Sequence, residues 1–185
     1  MIRGLIAQYF GNIEMIFQEL LIEYGLSMYA GAQFISGMGL LLVVPDAIVT
    51  PTFVMVYADS FLEVFGIATI SAMMLVAGNF IMFLFSKFLG HRYFADDRFD
   101  SRFWKFMNWT VKKNAPTSLI VMRFLPVGNG LIAIPAGLLD VNVKTFLSYS
   151  FVGFLIMEMS LAFGMWYGLE EGILQAFIGE AEIIG

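Results

Sequence analysis

The chain contains no cysteine and a single histidine, His91, among its 185 residues. The first absence excludes disulfides, thiolate metal sites and thiol nucleophiles. The second excludes a multi-histidine metal centre, and any Ser-His-Asp triad would have to be built on His91. Charge is scarce too: 14% of residues are charged and 59% are hydrophobic. An average soluble domain is about a quarter charged, so an ordinary soluble globular protein is excluded for want of polar surface. Twenty Phe and 13 Met exclude a disordered chain. The length fits one domain. What remains is an integral membrane protein, and its helix-length apolar segments make it all-α.

The few charges are unevenly placed. Residues 1–86 hold one basic residue against six acids, and residues 114–185 hold two against six. Seven of the ten basic residues, Lys87, Arg92, Arg98, Arg102, Lys105, Lys112 and Lys113, lie in 87–113. Lys and Arg gather in cytoplasmic loops of membrane proteins, so 87–113 is expected in the cytoplasm and the chain in the cell membrane. This basic stretch adjoins apolar spans and carries interleaved acids. It therefore suits anionic or phosphate-bearing lipid head groups, and nucleic acid is not expected.

Residues 1–27 show apolar positions at helical spacing and a polar face of Gln8, Asn12, Glu19 and Glu23, which predicts an N-terminal amphipathic helix rather than a signal peptide. Residues 28–57 are nearly uncharged and long enough to span a bilayer, but Pro45 and Pro51 interrupt them. Proline removes a backbone donor, and broken backbone at membrane depth must be buried in protein or line a cavity. The expectation is a re-entrant hairpin, with one kinked helix as the alternative. Residues 61–87 predict a spanning helix.

A cytoplasmic amphipathic helix is expected over 96–113, with Phe99, Phe103, Phe106 and Met107 on one face. Its other face carries Arg98, Arg102 and Lys105, and Trp104 and Trp109 suit the head-group level. Residues 114–139 repeat the broken pattern around Arg123, Pro126, Gly128, Gly130, Pro135 and Gly137. Residues 143–169 predict a second span, interrupted by Glu158, and 171–185 form a short tail. The 28–170 domain thus reads as hairpin plus span, twice. Pro51 precedes Gly78 by the same 27 residues that separate Pro126 from Gly153. Hairpins that enter from opposite faces make an inverted repeat, an arrangement that builds transport sites near the midplane.

Three stretches carry a family resemblance. Pro45-Asp46-Ala47-Ile48-Val49-Thr50-Pro51 is similar to a first-hairpin motif P-[S/G]-E-x-x-x-P. Gly78-Asn79, Phe83, Ser86-Lys87 and Gly90 are similar to G-D-x-x-x-Y-x-x-G-R-x-x-G at the end of a span. Arg123-Phe124-Leu125-Pro126, then Pro135-Ala136-Gly137 and Phe146, are similar to R-F-x-P-x-x-R…P-A-G…F. Together they resemble the DedA family, the prokaryotic branch of VTT-domain membrane proteins, over roughly residues 40–170. The resemblance implies movement of undecaprenyl phosphate or phospholipids between leaflets, with proton dependence in some members. The chain departs from the pattern: Ala47 replaces the hairpin Glu, Asn79 the Asp, and Asn129 the second Arg. Asn129 is similar instead to the R-x-x-P…N motif of eukaryotic VTT scramblases.

The substrate-contact candidates are Arg123, Pro126, Gly128, Asn129, Gly130, Asp46 and Asn79. Arg123 offers a donor fork that suits a phosphate, and the alternative is pairing with Asp46 to pin the hairpins together. Asp46 is a countercharge, a proton carrier or a helix cap. Asn79 and Asn129 bind a head group or satisfy broken backbone. Gly128 and Gly130 supply free amides for an anion or plain turn geometry. Asp46 and Glu158 are the proton- or ion-coupling candidates, since an acid within a span is functional by default; the alternatives for Glu158 are pairing with Arg123 or a neutral group in a polar niche. His91 is read as an interfacial residue. Gly164, Gly168 and Gly172 are spaced for helix contact, either with a second copy or within the chain. No nucleotide-binding motif is present, so the process is read as passive or ion-driven. The protein is read as a non-enzyme with no cofactor and no metal. The leading function is translocation of a phosphate-bearing lipid. The alternatives are an ion-coupled transporter of small cations or drugs and a membrane scaffold.

Overall fold

A computed structural model describes residues 23–39, 46–93, 102–124 and 132–170. The described residues are helical, with turns and no strand. Residues 23–37 form α1, followed by α2 (Asp46–Tyr57), α3 (Phe61–Tyr93), α4 (Arg102–Lys113) and α5 (Ala115–Val121). A 3-10 turn (Met122–Phe124) extends α5, and α6 (Ala133–Leu138) and α7 (Val143–Glu170) complete the order. The amphipathic helix expected over 1–27 lies outside the described residues except for 23–27, which begin α1. The tail from 171 also lies outside them.

Two helices, Phe61–Phe88 within α3 and Val143–Gly168 within α7, are long and apolar enough to cross a membrane. Their outward faces present Phe65, Met73, Ile81 and Phe85 on α3 and Val152 and Ile156 on α7, all substantially exposed. Such a surface is costly in water and natural in hydrocarbon, which separates these helices from the core helices of a soluble protein. At 33 residues α3 is about 50 Å long, more than the ~30 Å hydrocarbon core requires.

The two long helices pack antiparallel along their length. Ala68 and Ala162 share one core cluster, Leu75 and Phe154 a second, and Phe83 stacks on Phe146 at 4.3 Å between ring centroids in a third. On α7 the contact ridge is Phe146, Ser150, Phe154, Glu158 and Ala162. All five are fully buried and recur every fourth residue, as a helix stripe must.

The short helices divide between the long ones. α2 packs on α7 and α3, α5 packs on α7, and α6 packs on α3. α1 crosses α3 closely enough that a Cβ at Gly78 would collide with the carbonyl of Phe34, and one at Gly37 with that of Leu75. At Gly153 of α7 a Cβ would lie 3.1 Å from Arg123 Cγ and from the Ile120 Cα of α5. The glycine that follows each broken segment by the same interval is therefore where the first limb of that segment meets the long helix.

Pro51 does not interrupt its helix, contrary to the expectation that both prolines break the chain. α1 ends at residue 37, α2 starts directly after Pro45, and Pro51 lies inside α2. A proline costs one backbone bond, and here Val49, Phe53 and Val54 are buried around it. Packing of the other residues holds the helix despite that loss. In the second broken segment, Asn114 caps α5 by accepting from the Thr117 amide, and Pro116 sits in the first turn, where its missing donor costs little. Lys87, in the last two turns of α3, pairs with Asp140 in the turn before α7 at 3.4 Å.

Candidate functional site

Arg123 is the largest fully buried side chain among the described residues. The 3-10 turn at the end of α5 carries it inward between α3 and α7. One guanidinium nitrogen donates to Asn79 Oδ1 of α3 at 3.1 Å and another to Ser150 Oγ of α7 at 3.0 Å. The cation lies over the Phe154 ring, 4.2 Å from its centroid, a favourable placement away from water. Asn79 and Ser150 are neutral, so these two bonds serve to orient the guanidinium. Asn79 also donates to the Gly37 carbonyl at 2.8 Å, at the last residue of α1. One amide thus satisfies a helix-end carbonyl of the first broken segment and fixes the arginine of the second. It does so across 44 residues of sequence.

A second polar cluster lies two helical turns away. Glu158 of α7 is fully buried, and its carboxylate accepts from the Thr50 hydroxyl of α2 at 2.5 Å. Thr50 in turn accepts from Gln33 Nε2 of α1 at 2.8 Å and lies 3.0 Å from the Tyr29 hydroxyl and 3.4 Å from Ser71 Oγ of α3. Tyr29 also donates to the Ile67 carbonyl at 3.3 Å and stacks on Phe53. Four helices therefore meet at one threonine hydroxyl, and all five side chains are buried. Leu75 and Phe154 separate the two clusters. On both long helices the offset is eight residues, Ser71 to Asn79 and Ser150 to Glu158, or about 12 Å of rise.

The structure brings together Arg123 and Asn79 of the candidate set and places Glu158 in a different cluster. Pro126, Gly128, Asn129 and Gly130 lie outside the described residues. Asp46 begins α2, but its side chain lies outside them as well, and with it the proposed pairing to Arg123. His91 falls in α3 with its side chain likewise outside. Sequence reading missed Tyr29, Gln33, Thr50, Ser71 and Ser150. The matching eight-residue offsets of polar residues on the two spans were the available signal. Among the described residues no group of His, Asp or Glu has the number needed to hold a metal ion.

These features define a helical membrane protein with two long antiparallel helices, two broken apolar segments and polar side chains buried between them. The VTT domain matches residues 21–167, most of the chain. The chain therefore belongs to the VTT-domain family, the domain of the DedA and SNARE-associated membrane proteins. No curated protein and no solved structure matches it.

Proposed function

We propose that the protein moves a phosphate-bearing lipid between leaflets through a polar path between its broken segments, with Arg123 as the phosphate contact. The observation that carries this reading is the Arg123 guanidinium, buried at the point where α5 ends and oriented by Asn79 and Ser150. A charge at membrane depth is expensive and is kept where it does work. Arg presents a planar donor fork that matches phosphate oxygens. The head group slides past this fork while the acyl chains stay in lipid, so no bare charge crosses hydrocarbon.

The two broken segments act as re-entrant hairpins of an inverted repeat in the cell membrane, with 87–113 on the cytoplasmic side. The crossed packing supports this, since α1 and α5 sit on the long helices that follow them while α2 and α6 reach the other long helix. A second reading, ion-coupled transport of a small cation, is favoured by the Glu158–Thr50 cluster, where a carboxylate accepts from a threonine hydroxyl that two further helices also reach with hydroxyls. Scrambling of fluorescent phospholipid in liposomes without any ion gradient separates the two. The lipid reading expects exchange under those conditions, and the transporter reading expects none.

A further inference from the structure

We propose that the groove between α4 and α5 holds one acyl chain of an anionic phospholipid, with the lipid's head group at Lys113. This rests on the membrane placement of α4 in the reading above, and not on translocation itself. The groove has a volume of about 400 Å³, within the range of clefts that hold small ligands. Its walls are Phe106 and Trp109 of α4 and Val121 and Met122 at the end of α5.

Two of the hydroxyls in the lining are spent on backbone carbonyls. The Thr110 hydroxyl donates to the Phe106 carbonyl at 2.7 Å. The Ser118 hydroxyl is shared between the carbonyls of Thr110 and Asn114 at 2.8 and 2.6 Å. Asn114 is engaged with the Thr117 amide. What the groove presents is mostly carbon, which suits a hydrocarbon chain better than a head group.

The rim differs. Lys113 Nζ stands 5.0 Å from the centroid of the half-exposed Trp109 ring, and Lys112 adjoins it in the last turn of α4. Trp at the head-group level and Lys reaching to the interface are the pairing that anchors a helix at a bilayer surface. An apolar slot under a cationic rim fits an amphiphile with a negative head. Met122, at the inner end of the slot, precedes Arg123 in the 3-10 turn, so a bound chain lies beside the residue that holds the buried charge.

The test uses the full chain with Trp104→Phe and Trp166→Phe, which leaves Trp109 as its one tryptophan. It is placed in phosphatidylcholine liposomes with rising fractions of bromine-labelled phosphatidylglycerol or, in a parallel series, bromine-labelled phosphatidylcholine. Trp109 fluorescence is expected to be half-quenched at an about fivefold lower mole fraction of the anionic lipid, the order expected for one interfacial Lys. Lys113→Gln should merge the two curves, Lys113→Arg should keep them apart, and Thr117→Phe should weaken quenching by both lipids by filling the slot. Identical curves for the two lipids in the parent protein, or a preference that survives Lys113→Gln, would overturn the proposal. A patch that binds another protein or a second copy instead would show as the absence of quenching. Scrambling measured in the same liposomes is scored separately. Selective quenching without lipid exchange would keep the groove and remove the translocation reading.

Discussion

Replacing Thr50 with Val tests whether the second polar cluster is built as its hydrogen bonds imply. Val keeps the branched shape and removes only the hydroxyl. That hydroxyl donates to the buried Glu158 carboxylate and accepts from Gln33 Nε2. A hydrogen bond to a charged group contributes ~1.5–3 kcal/mol, and a buried donor left without its acceptor costs ~1–3 kcal/mol. Tyr29 is spared, because the Ile67 carbonyl remains as its acceptor. The expected loss is therefore ~3–5 kcal/mol. Unfolding in detergent micelles, followed by tryptophan fluorescence against denaturant, measures it. Adding Glu158→Leu to Thr50→Val removes both partners, which is far less damaging than orphaning one. The double mutant should thus lose at least ~1.5 kcal/mol less than the sum of the two single losses. A Thr50→Val protein within ~0.5 kcal/mol of the parent, as expected of an unremarkable surface change, together with strictly additive mutants, would refute the cluster.

Four further outcomes rest on packing, topology and charge. Gly78→Ala should destabilise by ~1–3 kcal/mol by overpacking against the Phe34 carbonyl. Gly66→Ala, with open space around its Cβ, should instead stabilise α3 by ~0.5–1 kcal/mol; paired thermal melts check both. A cysteine at Ser101, in a chain with no other, should react with an impermeant reagent only in opened or inverted vesicles, and labelling from outside intact cells would reverse the proposed topology. Asn129→Arg should shift scrambling preference from phosphatidylethanolamine towards phosphatidylglycerol, because a second donor fork in a low-dielectric path favours net negative head groups. Side-by-side reporters of the two lipids read that shift.

The two long helices were legible because the bilayer imposes a length of apolar sequence that few other structures need. Arg123 and Glu158 were legible because an isolated charge in such sequence is conspicuous. Their partners were not. Thr50, Ser71 and Ser150 are small hydroxyl residues that look neutral in a hydropathy pattern. Gln33 and Tyr29 are joined to Thr50 only by folding across 17 and 21 residues. Asn79 was flagged as a candidate for head group or backbone, but that it does its backbone work at Gly37 and also holds Arg123 is a tertiary fact. Pro51 misled for a related reason: local propensity disfavours it in a helix, while the buried neighbours of α2 decide the outcome.

The central claim is that the Arg123 guanidinium handles a lipid phosphate. Its most direct test is gradient-free lipid scrambling in liposomes by the parent, Arg123→Lys and Arg123→Gln, compared at equal amounts of folded protein. Lys keeps a positive charge without the fork, so it should retain part of the rate, while Gln should lose most of it. A well-folded Arg123→Gln protein that scrambles lipid as fast as the parent would contradict the account.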